Sequence, residues 1–265
     1  MAFQDARDDA LLARRDGGVA TLTINRPARR NAITHAMWLE LAARVRDLCV
    51  DPATRVIVLT GAGQDFSAGA DISEFATLRA RSDSARHYEA ANSQAFAALR
   101  EASVPVIASI RGICFGGGFG LAAACDLRIA TGDSIYSVPA AKLGLAYPAD
   151  AMADIVAALG GQTARHLCYT GVRIDADAAL RCGFLLEIVD DAMLDARVMA
   201  LAAGIAESAP LSVRASKAAI RAVLSGDAGH RETARALGDA TFDSADYAEG
   251  RAAFMEKRRP SFEGR

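Results

Sequence analysis

The residues that most directly announce chemistry are scarce in this 265-residue sequence. It has four histidines, His35, His87, His166 and His230, far apart and never in an H-x-x-x-H pair, so no metal site is expected. Its five cysteines, Cys49, Cys114, Cys125, Cys168 and Cys182, include no C-x-x-C pair. That argues against a zinc ribbon or redox dithiol and suits the reduced, buried thiols of a cytoplasmic protein. No apolar run reaches about 18 residues, so no membrane span is expected. The opening Met1-Ala2-Phe3-Gln4-Asp5 turns polar too early for a secretory leader. A formal net charge of −2 offers no surplus of positive charge to draw nucleic acid or an acidic membrane. The G-x-G-x-x-G fingerprint and the phosphate-loop G-K-[ST] ending are also absent from the glycine-rich stretches.

What remains is a globular composition, 52% hydrophobic and 23% charged, in a chain long enough for a substantial core. Two glycine runs stand out. Cys114-Phe115-Gly116-Gly117-Gly118-Phe119-Gly120-Leu121 follows an apolar, β-branched strand signal at 104–110 and precedes the helix-friendly Ala122-Ala123-Ala124. Strand, glycines and helix in that order place free N–H groups at a helix N-terminus, where they can face negative charge. Glycine also lets backbone approach a ligand closely. A second run, from Gly61 through Gly69-Ala70-Asp71-Ile72, follows the strand signal at 56–60. Each is equally a tight connection that meets no ligand.

Along the rest of the chain, Asp16-Gly17-Gly18 between two alternating stretches predicts a hairpin. Thr34 caps a predicted helix to about Val50, with Met37, Leu41, Val45 and Leu48 on one face. Helix at 84–100, strands at 127–130 and 135–138, helices at 149–159, 162–170 and 175–182 and a strand at 184–189 follow. From Met193 onward the pattern is helical throughout. The fold class is α/β with a helical tail, divided as a core over 1–200 and a tail over 201–265.

Four segments together resemble the crotonase superfamily, the enoyl-CoA hydratase/isomerase group. They are Asn25-Arg26-Pro27-Ala28-Arg29-Arg30-Asn31-Ala32, Phe66-Ser67-Ala68-Gly69-Ala70-Asp71-Ile72, Gly116-Gly117-Gly118 through Cys125-Asp126-Leu127-Arg128-Ile129-Ala130, and Phe254-Met255-Glu256-Lys257-Arg258. The resemblance runs from Val19 to the end. It implies a spiral of repeated ββα units with a C-terminal α-helical segment for trimers, often paired into hexamers. It also implies an acyl-CoA thioester as ligand, with coenzyme A entering as part of the substrate and no separate cofactor. By motif position the Ala70 and Gly117 amides would stabilise an enolate oxygen, and Ala68, Asp71 and Ile72 on the same turn would join them in binding the substrate and its coenzyme A. Asp71 reads equally as a residue that fixes that turn. Arg29 and Arg30 match basic residues near the nucleotide phosphates, or form a solvated surface pair. Phe254 and Lys257 match tail residues that reach coenzyme A, often across a subunit boundary, although Lys257 also sits in an ordinary charge run.

The sequence departs from the family's hydratases at both catalytic carboxylates. The first glutamate would stand at Gly120 and the second at Ala140, after Pro139. Water addition and isomerisation of the usual kind both need those groups. Tyr147 aligns with a pocket tyrosine of the family's methylmalonyl-CoA decarboxylases, a reaction that needs no glutamate pair, and reads equally as a wall residue. Asp150 is a candidate acid or a helix cap. The histidine and aspartate of the family's chlorobenzoyl-CoA dehalogenases fall on Ser93 and Pro148, so dehalogenation is not expected and His87 reads as a surface residue. Three readings stay open: an acyl-CoA enzyme of the hydratase/isomerase type, a decarboxylase of malonyl-type esters, and a thioester-binding protein without turnover.

Overall fold

Strand β1 (Leu11–Asp16) and strand β2 (Val19–Ile24) form the antiparallel hairpin, with Asp16 opposite Val19. Gly17, at φ 53°, takes the left-handed conformation that so short a turn requires. This computed structural model describes residues 9–265; the polar opening at 1–5 lies outside them. Thr34 caps helix α1 (His35–Val50), its hydroxyl accepting from the Met37 amide at 3.4 Å. Met37, Leu41, Val45 and Leu48 are buried as their spacing predicts, and Trp38 is buried beside them.

The chain continues through β3 (Val56–Gly61), α2 (Phe75–Leu78), α3 (Ser82–Glu101), β4 (Val106–Ile110), β5 (Ile113–Phe115) and α4 (Gly117–Ala124). Then come β6 (Leu127–Thr131), β7 (Ile135–Ser137), α5 (Ala149–Thr170), β8 (Arg173–Asp175), α6 (Ala176–Arg181) and β9 (Glu187–Val189). Helices α7 (Asp191–Ala206), α8 (Pro210–Ser225), α9 (Ala228–Phe242) and α10 (Ala245–Glu256) end it. A six-stranded sheet in the order β1-β2-β3-β4-β6-β9 is parallel after the first hairpin, and β5-β7-β8 form a second, smaller sheet.

Strand β3 shows why its sequence is continuously apolar. Ile57 and Leu59 enter the main core, while Val56 and Val58 enter a second cluster with Ile107, Ile129, Leu194, Val198 and Ala202. A strand covered on both faces alternates between two apolar environments and leaves no polar side.

Four expectations change. Strand 104–110 does not feed the glycine helix directly, because β5 intervenes in the second sheet. Gly112, at φ 50°, turns the chain between the sheets, and the Asp65 carboxylate accepts from the Ile113 amide at 2.9 Å. The helices at 149–159 and 162–170 are one element, α5, kinked at Gly160 with φ 72°. The strand at 184–189 contracts to β9, because Phe184 stacks on Phe119 at 4.6 Å in the core instead. Finally, a boundary at 200 would cut α7, whose Leu194, Val198 and Ala202 pack on the sheet. Residues 207–209 separate α7 from α8.

Candidate functional site

The two glycine runs meet in space. Ser67 bridges Cys114: the Ser67 amide donates to Ile113 and the Phe115 amide donates to Ser67, each at 2.9 Å. Three residues on, Ala70 forms a parallel bridge to Ile33. There the Ile33 amide donates to the Gly69 carbonyl at 2.8 Å and the Asp71 amide donates to the Ile33 carbonyl at 2.9 Å. In such a bridge the central residue uses neither of its own polar groups, so the Ala70 N–H points away from Ile33. It has no acceptor among the described residues. This corrects the helix-terminus expectation for the first run: the donor comes from bridged, extended backbone.

The second run follows expectation. Gly117 is the first residue of α4, where the N–H has no intrahelical partner, and it too lacks an acceptor among the described residues. The two amides are close neighbours. A Cβ placed on Gly117 would lie 3.5 Å from the Ala70 nitrogen, and one placed on Gly69 would lie 2.8 Å from the Gly117 nitrogen. Gly69 also sits at φ 91°, so glycine is required there twice over. Two free donors from different segments, one on a helix N-terminus, can together receive one partly negative oxygen.

The Asn25-to-Ala32 motif holds this arrangement from behind. Asn31 is fully buried; its side-chain amide donates to the Ala62 and Asp65 carbonyls at 2.9 and 2.6 Å and its oxygen accepts from the Arg26 amide at 2.9 Å. Arg26 reaches the Ala32 carbonyl at 2.6 Å and Asp71 at 2.8 Å. The Asp71 carboxylate also accepts from the Ser73 hydroxyl at 2.7 Å and the Ser73 amide at 3.1 Å. The Ser73 hydroxyl, together with Arg26, holds its pKa below the ordinary value against the opposing effect of burial. Asp71 is thus engaged in fixing the turn that carries Ala70.

The other expected residues divide into two groups. The Ala68 amide donates to the Arg30 carbonyl at 2.9 Å, so Arg30 borders the turn, and Arg29, Arg30 and Ile72 are exposed around it. Phe254 and Lys257 are exposed on and just past α10, with no hydrogen bond or ion pair to either glycine run among the described residues. The single chain does not bring them to the amides.

Tyr147 does come to the site. Its hydroxyl donates to the Gly116 carbonyl at 2.7 Å, and its ring stacks on Phe96 with centroids 6.3 Å apart. Tyr147 is half-buried, and desolvation pushes its hydroxyl pKa up. Asp150 is exposed in the first turn of α5 and accepts from the Ser93 hydroxyl at 3.3 Å. Pro148 occupies the cap position, so Asp150 is not the cap. At Gly120, a Cβ would stand 2.5 Å from the Tyr147 hydroxyl and 2.7 Å from the Phe96 ring. Ala140 lies in the short 3-10 helix Pro139–Leu143. Neither glutamate position carries an acid, and aromatic groups fill the space at the first.

Trp38 and Phe96 belong to this site without any motif to announce them. A Cβ on Gly117 would meet the Trp38 ring at 2.8 Å, and Trp38 packs edge-on against Phe96 at 5.7 Å. Spacing marks both as helix residues only. A cavity of about 640 Å³ at the β6–β9 edge, lined by Thr131, Asp133, Glu187 and Arg197 among others, includes none of the expected residues.

The family model described as enoyl-CoA hydratase/isomerase matches residues 14–265. The chain belongs to this family. Within the enoyl-CoA hydratase/isomerase family, it is 33% identical over 256 residues to a crotonyl-CoA hydratase of Syntrophomonas wolfei, covering 95% of this chain and 97% of that protein. It is 30% identical over 260 residues to a 2,3-dehydroadipyl-CoA hydratase of Escherichia coli, covering 96% and 99%. A crystal structure of an enoyl-CoA hydratase/carnithine racemase from Magnetospirillum magneticum superposes with a TM-score of 0.91 at 36% identity, over 97% of this chain and 96% of that one. The fold is therefore the crotonase fold, and the chain is an acyl-CoA enzyme of the enoyl-CoA hydratase/isomerase family.

Proposed function

We propose that this enzyme binds an acyl-CoA thioester with its carbonyl oxygen between the Ala70 and Gly117 amides and stabilises the enolate that forms there. The supporting observation is the convergence of two donors that lack a protein acceptor among the described residues. Fixed donors aimed at developing charge need no reorganisation during reaction, and one such donor is worth about 2.7–4 kcal/mol of barrier. Coenzyme A enters with the substrate, and Arg29 and Arg30 at the rim supply positive charge for its phosphates.

The same reading makes the enzyme a homotrimer or a pair of trimers. Ile220, Val223, Leu224, Phe242, Phe254 and Met255 are largely exposed on the last three helices, more apolar surface than a solitary helical tail needs to show. A second copy packed there would bring Phe254 and Lys257 to a neighbour's thioester.

Loss of CO₂ from a malonyl-type ester is the reaction the lining favours. The bond between the α-carbon and the carboxylate breaks, its electron pair forms the enolate held by the amides, and solvent later returns a proton to carbon. No base is needed. Water addition, the activity named for the Syntrophomonas wolfei protein, needs acid and base groups that Gly120 and Ala140 do not supply.

Incubation with crotonyl-CoA and separately with methylmalonyl-CoA, followed by mass spectrometry, tests this. Loss of CO₂ from methylmalonyl-CoA with no hydration of crotonyl-CoA is the expected result; hydration overturns the decarboxylase reading. Inertness toward both, with tight ester binding, leaves a thioester binder and removes both reactions. A Gly117→Pro control lacks one donor. Because any Cβ at 117 meets Trp38, its fold is checked by circular dichroism.

A further inference from the structure

We propose that Tyr147 is a positioning residue for the Gly117 amide, acting on the substrate through the Gly116–Gly117 peptide and not by touching the substrate. This rests on the proposed role of that amide. The carbonyl that receives the Tyr147 hydroxyl at 2.7 Å and the N–H proposed to face the thioester belong to one planar peptide unit. There are no cis peptide bonds among the described residues, so the two groups point in opposite directions and fixing one aims the other.

The peptide needs fixing. Gly116 sits at φ 50° and ψ −119°, a conformation open to glycine and poorly held by its own sterics. Its carbonyl accepts from the Gly120 amide at 3.0 Å, the first bond of α4, and from Tyr147, so both lone pairs are occupied. Each bond accepted at the oxygen strengthens the bond that the N–H at the far end of the same peptide can give, by roughly 10–30% in condensed-phase estimates. Tyr147 therefore both aims and strengthens the donor.

Three features show that the hydroxyl is seated for this task. Phe96 stacks nearly parallel to the Tyr147 ring, at 11°. Burial raises the hydroxyl pKa, so it stays protonated and donates. Gly120 is what admits it, because a Cβ there would stand 2.5 Å from the hydroxyl oxygen. Glycine at 120 and tyrosine at 147 form a matched pair: the space that a side chain at 120 would occupy is taken by a group that serves the peptide one turn earlier.

The probe is p-dimethylaminocinnamoyl-CoA, whose absorption moves to the red as its thioester carbonyl is polarised. The wild-type protein is expected to bind it with a red shift that is constant from pH 6 to pH 9. Tyr147→Phe should bind with affinity within about threefold of wild type yet lose a clear part of the shift, since the hydrogen bond that it removes lies on the far side of the peptide from the ester. Gly120→Ala, which displaces the hydroxyl, should lose a similar part. Circular dichroism confirms that both variants fold. If Tyr147→Phe keeps the full wild-type shift, the positioning role is wrong while the amide reading stands. If wild type binds the ester with no shift, the amide reading fails and this proposal falls with it. A shift that titrates between pH 6 and pH 9 and is flat in Tyr147→Phe would mean that Tyr147 acts as an ionising group, overturning the proposal.

Discussion

Gly120→Ala is the most revealing single change. Within a helix, replacing glycine by alanine ordinarily stabilises by about 0.5–1 kcal/mol, because the unfolded chain loses freedom. Here the new Cβ would stand 2.5 Å from the Tyr147 hydroxyl and 2.7 and 2.9 Å from two Phe96 ring atoms. Phe96 is 1% exposed and packed against Trp38, so it cannot step back without disturbing the core. Overpacking of this kind costs about 1–3 kcal/mol, and losing the Tyr147–Gly116 hydrogen bond adds about 1 kcal/mol. The net expectation is destabilisation of about 1–3 kcal/mol, read by urea titration at fixed protein concentration. Tyr147→Phe removes the atom most in conflict, so the double variant should be less destabilised than the sum of the singles by about 1 kcal/mol. A Gly120→Ala protein more stable than wild type, or strictly additive singles, would refute the argument that this glycine exists to make room. By the same geometry, Gly120→Glu alone does not create a hydratase.

Further outcomes follow from other contacts. Arg26→Ala removes the hydrogen bonds to Ala32 and Asp71 behind the Ala70 turn; it should cost about 2 kcal/mol in urea titration and reduce turnover more than substrate affinity, and unchanged turnover would contradict it. Asp154 is buried against Arg100 at 2.6 Å, and desolvation raises its pKa from 3.8 to about 6 although Arg100 opposes this. A folded pKa above the unfolded one gives stability that is full below about pH 4 and lost as pH rises through about 6. Relative to Asp154→Asn, wild type should therefore gain on the order of 3 kcal/mol between pH 7 and pH 4, and a flat difference between the two urea midpoints would contradict it. Val223→Glu with Leu224→Glu places charge on the exposed face of α8; with the proposed trimer built there, light scattering should report a smaller mass for the variant than for wild type, and an unchanged mass would move the interface elsewhere.

Much of this was legible in the residues. Alternation around Gly17-Gly18 gave the hairpin, because a two-residue turn admits few conformations. Helical spacing picked out the buried face of α1, and the apolar 56–60 run marked a strand covered on both sides. Asn25 through Ala32, unremarkable by composition, is a support for the site, since Asn31 and Arg26 tie three backbone segments together. A sequence can signal that such residues belong together but not what they hold.

The sequence alone determined the strand-and-helix order, the two glycine runs and the absence of acids at 120 and 140, because these are local properties of backbone freedom and side-chain chemistry. Only the tertiary structure decided that the Ala70 amide is freed by a bridge to Ile33, that Trp38 and Phe96 pack against Gly117 and Gly120, and that the Tyr147 hydroxyl points at the Gly116 carbonyl. Each depends on contacts between residues tens of positions apart, and direction in space is not a property of any one stretch of chain.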